Sequence, residues 1–359
     1  MTDLPFDPVQ LMREHPEKMR IPGGLLSSGG PKDYIGAVPA LSGTLFFQNA
    51  HELEVREAIC ACFDEYATFA EGHLTWLWRA EPPVGPNKIA YSKAKPIREL
   101  MKQLSADHLV SFTYTSGQQA HDAGDWEFQV YGLQGWCAKM GDWGASALRF
   151  ALPLLSLDDH PTVFQSMFVS FARRLRALHG YGGHALVLSA GRAYENDAFE
   201  TYLAGMLNGL DAGDLIQAAA DAEKGIKTVS WLTAINYDML EKIGGITAVR
   251  SELPMDWFAL YDYGEGLVAQ AGPAPEGAPV DIDPKPARLV LPNALFSKLR
   301  APEIGMHVPS ASDEPRLFGW AAQQWLKRFD VEEGELLAYK AKLLKEPKLI
   351  DPTTLQDRL

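Results

Sequence analysis

GIKTVSWLTAINYDMLEKIGG (225–245), GLVAQAGPAP (266–275) and LPNALFSKLR (291–300) carry most of the structural information in this chain and almost no group able to do chemistry. Val229–Leu232 reads as a buried strand end, and the spacing of Tyr237, Leu240 and Ile243 predicts a short helix over 236–243. Gly244 and Gly245 should stop it, because glycine takes the left-handed cap conformation at no steric cost, and Lys242 suits the last turn. Two strand-like runs, Trp257–Tyr263 and Leu267–Gln270, flank Gly264, Glu265 and Gly266 and predict a hairpin. A proline-rich loop follows, then a helix expected to open near Pro292.

In this order and spacing, together with LSGTLFF at Leu41–Phe47 and the helix after it, these elements resemble the type VI secretion immunity proteins, which protect bacteria from their own injected toxins. The resemblance spans roughly residues 36–310 and departs from the family pattern at Ala294, where an aromatic residue is usual. It implies a non-enzymatic protein that binds a cognate type VI effector toxin and occludes its active site or substrate groove. It brings no cofactor and no bound metal.

The N-terminus, MTDLPFDPVQL, lacks the basic and apolar regions of a secretory signal, and no apolar run reaches the 18 or so residues of a membrane helix. Three cysteines, Cys60, Cys62 and Cys137, are too few for a disulfide framework and suggest reduced thiols. These features place the expected site of action in the cytoplasm, where the toxin's target would be nucleic acid or nucleotide. The formal net charge of −13 agrees with a nuclease-like, basic partner, reached by electrostatic steering, and disfavours direct nucleic-acid binding. The same charge also serves simple solubility.

The length of 359 residues suggests two units or one elaborated unit. Residues 1–35, rich in glycine and proline, read as an extended arm with one short helix around Val9–His15. A first α/β subdomain over 36–210 is expected to hold helices at His51–Phe69, Lys95–Leu104, Pro161–Leu178 and Ala198–Leu207. Its strands are expected at His73–Arg79, His108–Tyr114, Asp125–Leu133, Ala147–Leu154 and His184–Ser189. Gly180 is the expected stop of the helix that begins at Pro161. After an Ala- and Asp-rich connection at Asp211–Lys224, a second α/β subdomain fills the rest of 211–310. A helical extension over 311–359 has helices at Pro315–Phe329 and Glu333–Lys345. Strands and helices do not alternate regularly, so the expected class is α+β, with mixed, largely antiparallel sheets and packed helices.

Nucleotide loops, nucleophile elbows and HExxH zinc motifs are missing from the sequence, and GGLLSSGG at Gly23–Gly30 reads as flexible arm. His179 and His184, with Asp158 or Asp159, are candidate metal ligands, although a helix end and a strand entrance explain them better. Asp107 with His108, and His121 with Asp122, are candidate acid/base pairs. An enzyme with a site invisible to motifs, and a scaffold or adaptor, remain open as alternatives. Two surfaces are candidates for the partner: Asp122, Asp125, Trp126, Asp142 and Trp143, with Trp136, which mix acids with tryptophan as interface hot spots do, and the acidic loop at Asp281 and Asp283.

Overall fold

The computed structural model describes residues 8–79, 87–141, 143–310 and 313–359. Among them eleven strands form one antiparallel sheet: β1 (Ile21–Pro22), β2 (Ile35–Phe47), β3 (Trp76–Arg79), β4 (Lys88–Ala90), β5 (Val110–Thr115), β6 (Glu127–Gly132), β7 (Ser146–Pro153), β8 (His179–Leu188), β9 (Leu232–Asn236), β10 (Phe258–Asp262) and β11 (Gly266–Ala271). Their order is β10-β11-β9-β8-β2-β7-β6-β5-β3-β4, with β1 on β2, so the α+β class is as expected.

β2 lies at the centre, paired with β7 and β8, and is buried almost throughout. A strand covered on both faces reads as a continuous apolar run instead of an alternation. On one face, Leu41, Leu45 and Phe47 join a core closed by helices Leu53–Phe69 and Val163–Leu175. On the other, Phe46 meets Ala147, Tyr181 and helix Leu215–Asp221. That helix occupies the stretch expected to be a mere connection. A third core, including Ile235, Phe258, Leu267, Phe296 and Leu343, packs around β9 to β11. The sheet continues across the expected boundary at 210, since His179 pairs with Ile235 and Gly182 with Leu232.

Glycines decide how closely the layers approach. Gly43 and Gly182 are register partners, and a Cβ at either would meet the Phe168 ring at 3.0 or 3.3 Å. The helix expected to end at Gly180 ends earlier, at Leu175, where Arg176 takes the left-handed conformation with φ 49°. Gly180 belongs instead to β8, because a Cβ there would lie 2.4 Å from the Thr44 carbonyl oxygen.

The stretch 225–300 keeps its expected elements with shifted edges. The strand starts at Leu232, and Asn236 caps the following helix, its side chain accepting from Met239 N at 3.0 Å. Gly244 and Gly245 have φ of 99° and 67°, and a further helix, Gly245–Glu252, follows at once. The hairpin forms as expected, Phe258 pairing with Ala271. Pro292 lies inside its helix, Ala287–Phe296, rather than at the start. The start is set from outside: the Glu346 carboxylate accepts from Ala287 N at 2.7 Å and Arg288 N at 3.3 Å, satisfying amides that helix ends leave open.

The Gly23–Gly30 stretch, expected to be flexible, is tied down. Gly24 N donates to Asn196 Oδ1 at 2.9 Å and Ser28 N to Glu314 Oε1 at 2.7 Å. The C-terminal helices are Trp320–Leu326 and Leu336–Leu343, shorter than expected, and Leu343 enters the third core.

Phe168 is fully buried between its helix and the central sheet. Phe168→Ala should therefore cost about 3–5 kcal/mol, read as a lower urea midpoint with an unchanged slope.

Candidate functional site

The residues nominated from sequence are placed very differently. Asp122 is buried and turned inward, its carboxylate accepting from Ile35 N at 3.0 Å and Gln119 N at 2.8 Å. Trp126 is core, stacked on His73 with ring centroids 4.7 Å apart. Asp125 is half-buried, and burial lifts its pKa above the ordinary carboxylate value. Asp142 lies outside the described residues. Trp143 is exposed and meets Trp136 edge to face at 5.0 Å, beside a cavity of about 180 Å³ whose wall includes Gln48, Cys137 and Glu223. Asp281 is exposed, while Asp283 pairs with Lys342 at 2.5 Å. Hence Trp143 and Asp281 are at the surface, whereas Asp122 and Trp126 are buried.

The candidate ionisable pairs serve the fold. His179 is buried, with Nε2 2.8 Å from the Ala222 carbonyl oxygen and its ring 4.9 Å from that of Phe46. Burial brings its pKa down to about 4, and does the same at His184. His108 Nδ1 accepts from Ser105 N in a turn, and His121 lies edge-on to Trp78. Among the described residues, no group of three or more His, Cys, Asp or Glu side chains is placed to hold a metal ion. None of their helices is long and apolar enough to cross a membrane.

One feature escapes sequence reading altogether. Helix Asp197–Met206 has a mixed inner face: it buries the carboxylates Asp197 and Glu200 beside Ala198 and Ala204, packs Phe199 and Leu203 on the small core around Leu186, and leaves Tyr202 and Met206 about half exposed at 52% and 50%. The inward carboxylates have partners from distant segments. His307 Nε2 is 2.7 Å from Glu200, Gly213 N donates to Glu200 at 2.8 Å, and Arg316 pairs with Asp197. Leu317 N donates to His307 Nδ1 at 3.0 Å, so the proton on Nε2 is the one directed at Glu200.

The electrostatics follow from burial and these partners. Burial pushes the Glu200 carboxyl up, but the His307 hydrogen bond and the Gly213 amide outweigh this and hold it below the ordinary value. Asp197 is raised to about 6, chiefly by burial, against the pull of His307 and Arg316.

More exposed apolar side chains lie on segments hydrogen-bonded to this helix or to the residues that anchor it. Val280 N donates to Met206 O at 2.9 Å, bringing Val280 and Ile282 beside the helix end. Arg316 donates to Tyr194 O at 3.0 Å, and His307 N to Leu317 O at 3.1 Å, drawing in Tyr194, Val308, Phe318 and Trp320. Trp320, expected in the core, is 77% exposed, and Ile282 79%.

An α+β protein with this single sheet has a solved counterpart in type VI secretion. The chain is similar to the Pseudomonas aeruginosa T6SS protein PA0821, at 45% identity and a TM-score of 0.91, over 99% of this chain and 100% of that one. A search of curated proteins returns no match. The class is that of the type VI secretion immunity proteins. Within it, a family model described as TsiV, type VI immunity for VRR-NUC, matches residues 58–329, and the chain belongs to that family.

Two outcomes check this anatomy. Glu200→Ala strands a buried imidazole and an amide, so it should destabilise the protein by about 3–5 kcal/mol in denaturant titration. His179 has a folded pKa near 4, below the ordinary 6.5, so its neutral form favours folding. That stability is present above pH 6.5 and is lost as pH falls towards 4, on the order of 2 kcal/mol by pH 4.5. His179→Gln should flatten this part of the pH profile.

Proposed function

We propose that this chain is an immunity protein that binds a VRR-NUC type VI effector, a nuclease-type toxin, in the cytoplasm and neutralises it by covering its active site or substrate groove. Membership of the TsiV family is the observation that carries this reading. Charge supports it: 46 Asp and Glu against 33 Lys and Arg give an acidic protein suited to a surface built for polyanions. The same charge opposes direct nucleic-acid binding. Inhibition by occlusion needs no catalytic group in the inhibitor, only one inhibitor per toxin.

The test is a titration of effector nuclease activity with purified chain, paired with co-expression in bacteria. Activity should reach zero at about one chain per effector, cells should survive, and association should slow as salt is raised. Inhibition complete at a small fraction of one equivalent, or an effector left active in excess chain, would sink the proposal.

A further inference from the structure

We infer that the outward face of helix Asp197–Met206, with the neighbouring Ile282, Phe318 and Trp320, is the surface on which the effector docks. The inference rests on the proposed function and adds the place of contact. Among the described residues, eight of the nineteen exposed large apolar side chains come from the four segments joined here, 193–206, 279–283, 307–308 and 316–320. Such a concentration of exposed apolar groups marks an interaction surface more often than chance exposure does. The helix beneath it turns Ala198, Phe199, Leu203 and Ala204 to the core, yet gives its other inward positions to charge. Two carboxylates are taken out of water and satisfied by His307 and Arg316, while Tyr202 and Met206 are left in it. Local rules are broken in this way where function requires it.

Charge selects the occupant. Segments 193–206, 279–283 and 302–320 contain eight Asp or Glu, one Arg and no Lys, and that arginine, Arg316, is already paired with Asp197 and Glu314. Asp281, Glu303 and Asp313 stand exposed at the rim. An acidic rim repels an anionic lipid surface and a second copy of itself, and fits a basic protein surface. Tyrosine, tryptophan and methionine at the centre with carboxylates around them is the arrangement that interfaces use for anchoring and steering. A nuclease groove lined with lysine and arginine offers the complementary face.

The experiment measures binding of the purified VRR-NUC effector to the full chain by calorimetry, and association rates at several salt concentrations. Tyr202→Ala and Trp320→Ala, both at exposed positions and checked for an unchanged melting curve, should each weaken binding about thirty-fold or more. Asp281→Asn with Asp313→Asn should slow association and flatten its salt dependence. Leu53→Ala, exposed at the start of helix Leu53–Phe69, which covers the other face of the sheet, should bind as the unaltered chain does. Near-normal binding by both aromatic variants overturns the inference, most directly if Trp143→Ala is the variant that loses affinity. So does a concentration-dependent dimer of the chain alone that Trp320→Ala abolishes while effector affinity stays intact. An unaltered chain that fails to bind the effector overturns the proposed function instead.

Discussion

The contact between Phe168 and the paired glycines Gly43 and Gly182 sets the distance between the central sheet and the helix Val163–Leu175, and the arrangement around it follows from that distance. With no side chains between them, ring and backbone meet directly. Phe164 and Phe171 are then brought against Phe150, at centroid separations of 5.1 and 5.0 Å, and Phe164 is stacked with Trp231 at 5.9 Å. Trp231 precedes β9, so the same helix reaches the second half of the sheet. Close packing of this kind leaves little freedom to substitute, since each added methylene must displace a neighbour.

The opposite face of the sheet is organised by charge. Lys227 is buried, 2.7 Å from Asp211, with its ammonium 4.7 Å from the Tyr181 ring centroid and 5.4 Å from that of Trp325. Arg149 donates to Gly213 O at 3.0 Å, and Gly213 N in turn donates to Glu200. Buried ion pairs are poor sources of stability compared with apolar packing, but breaking one is costly, so they discriminate strongly against misplacement. Here the network ties β7, the 211–213 turn and helix Asp197–Met206 into a single register. The helix could not be rotated to bury Tyr202 without exposing charges that already have partners.

Features legible in the sequence were those whose signal is local. The hairpin at 258–271, the long helix after Leu53 and the antiparallel α+β class follow from turn glycines and periodicity. What was not legible depended on residues far apart in the chain. Ala287 begins a helix because Glu346 caps it, and Gly180 lies in a strand because Thr44 lies across from it. The candidate site suffers the same blindness more acutely. Asp122 and Trp126 look like a polar and aromatic surface in sequence, yet one closes a turn and the other is stacked on His73. Trp320 looks like core from its spacing and is exposed, while the partners that draw Asp197 and Glu200 inward, Arg316 and His307, lie more than a hundred positions from the helix they orient.

Helix Asp197–Met206 separates two duties that one residue often has to share. Its inward side chains hold the fold through ion pairs, and its outward ones contribute little to any core. Exposed positions free of such obligations usually change stability by less than about 0.5 kcal/mol when substituted. A lineage can therefore alter Tyr202, Met206 or Trp320 step by step, each intermediate remaining folded, while the scaffold underneath stays constant. If the effector docks there, the contact residues are free to change while the fold that carries them is not.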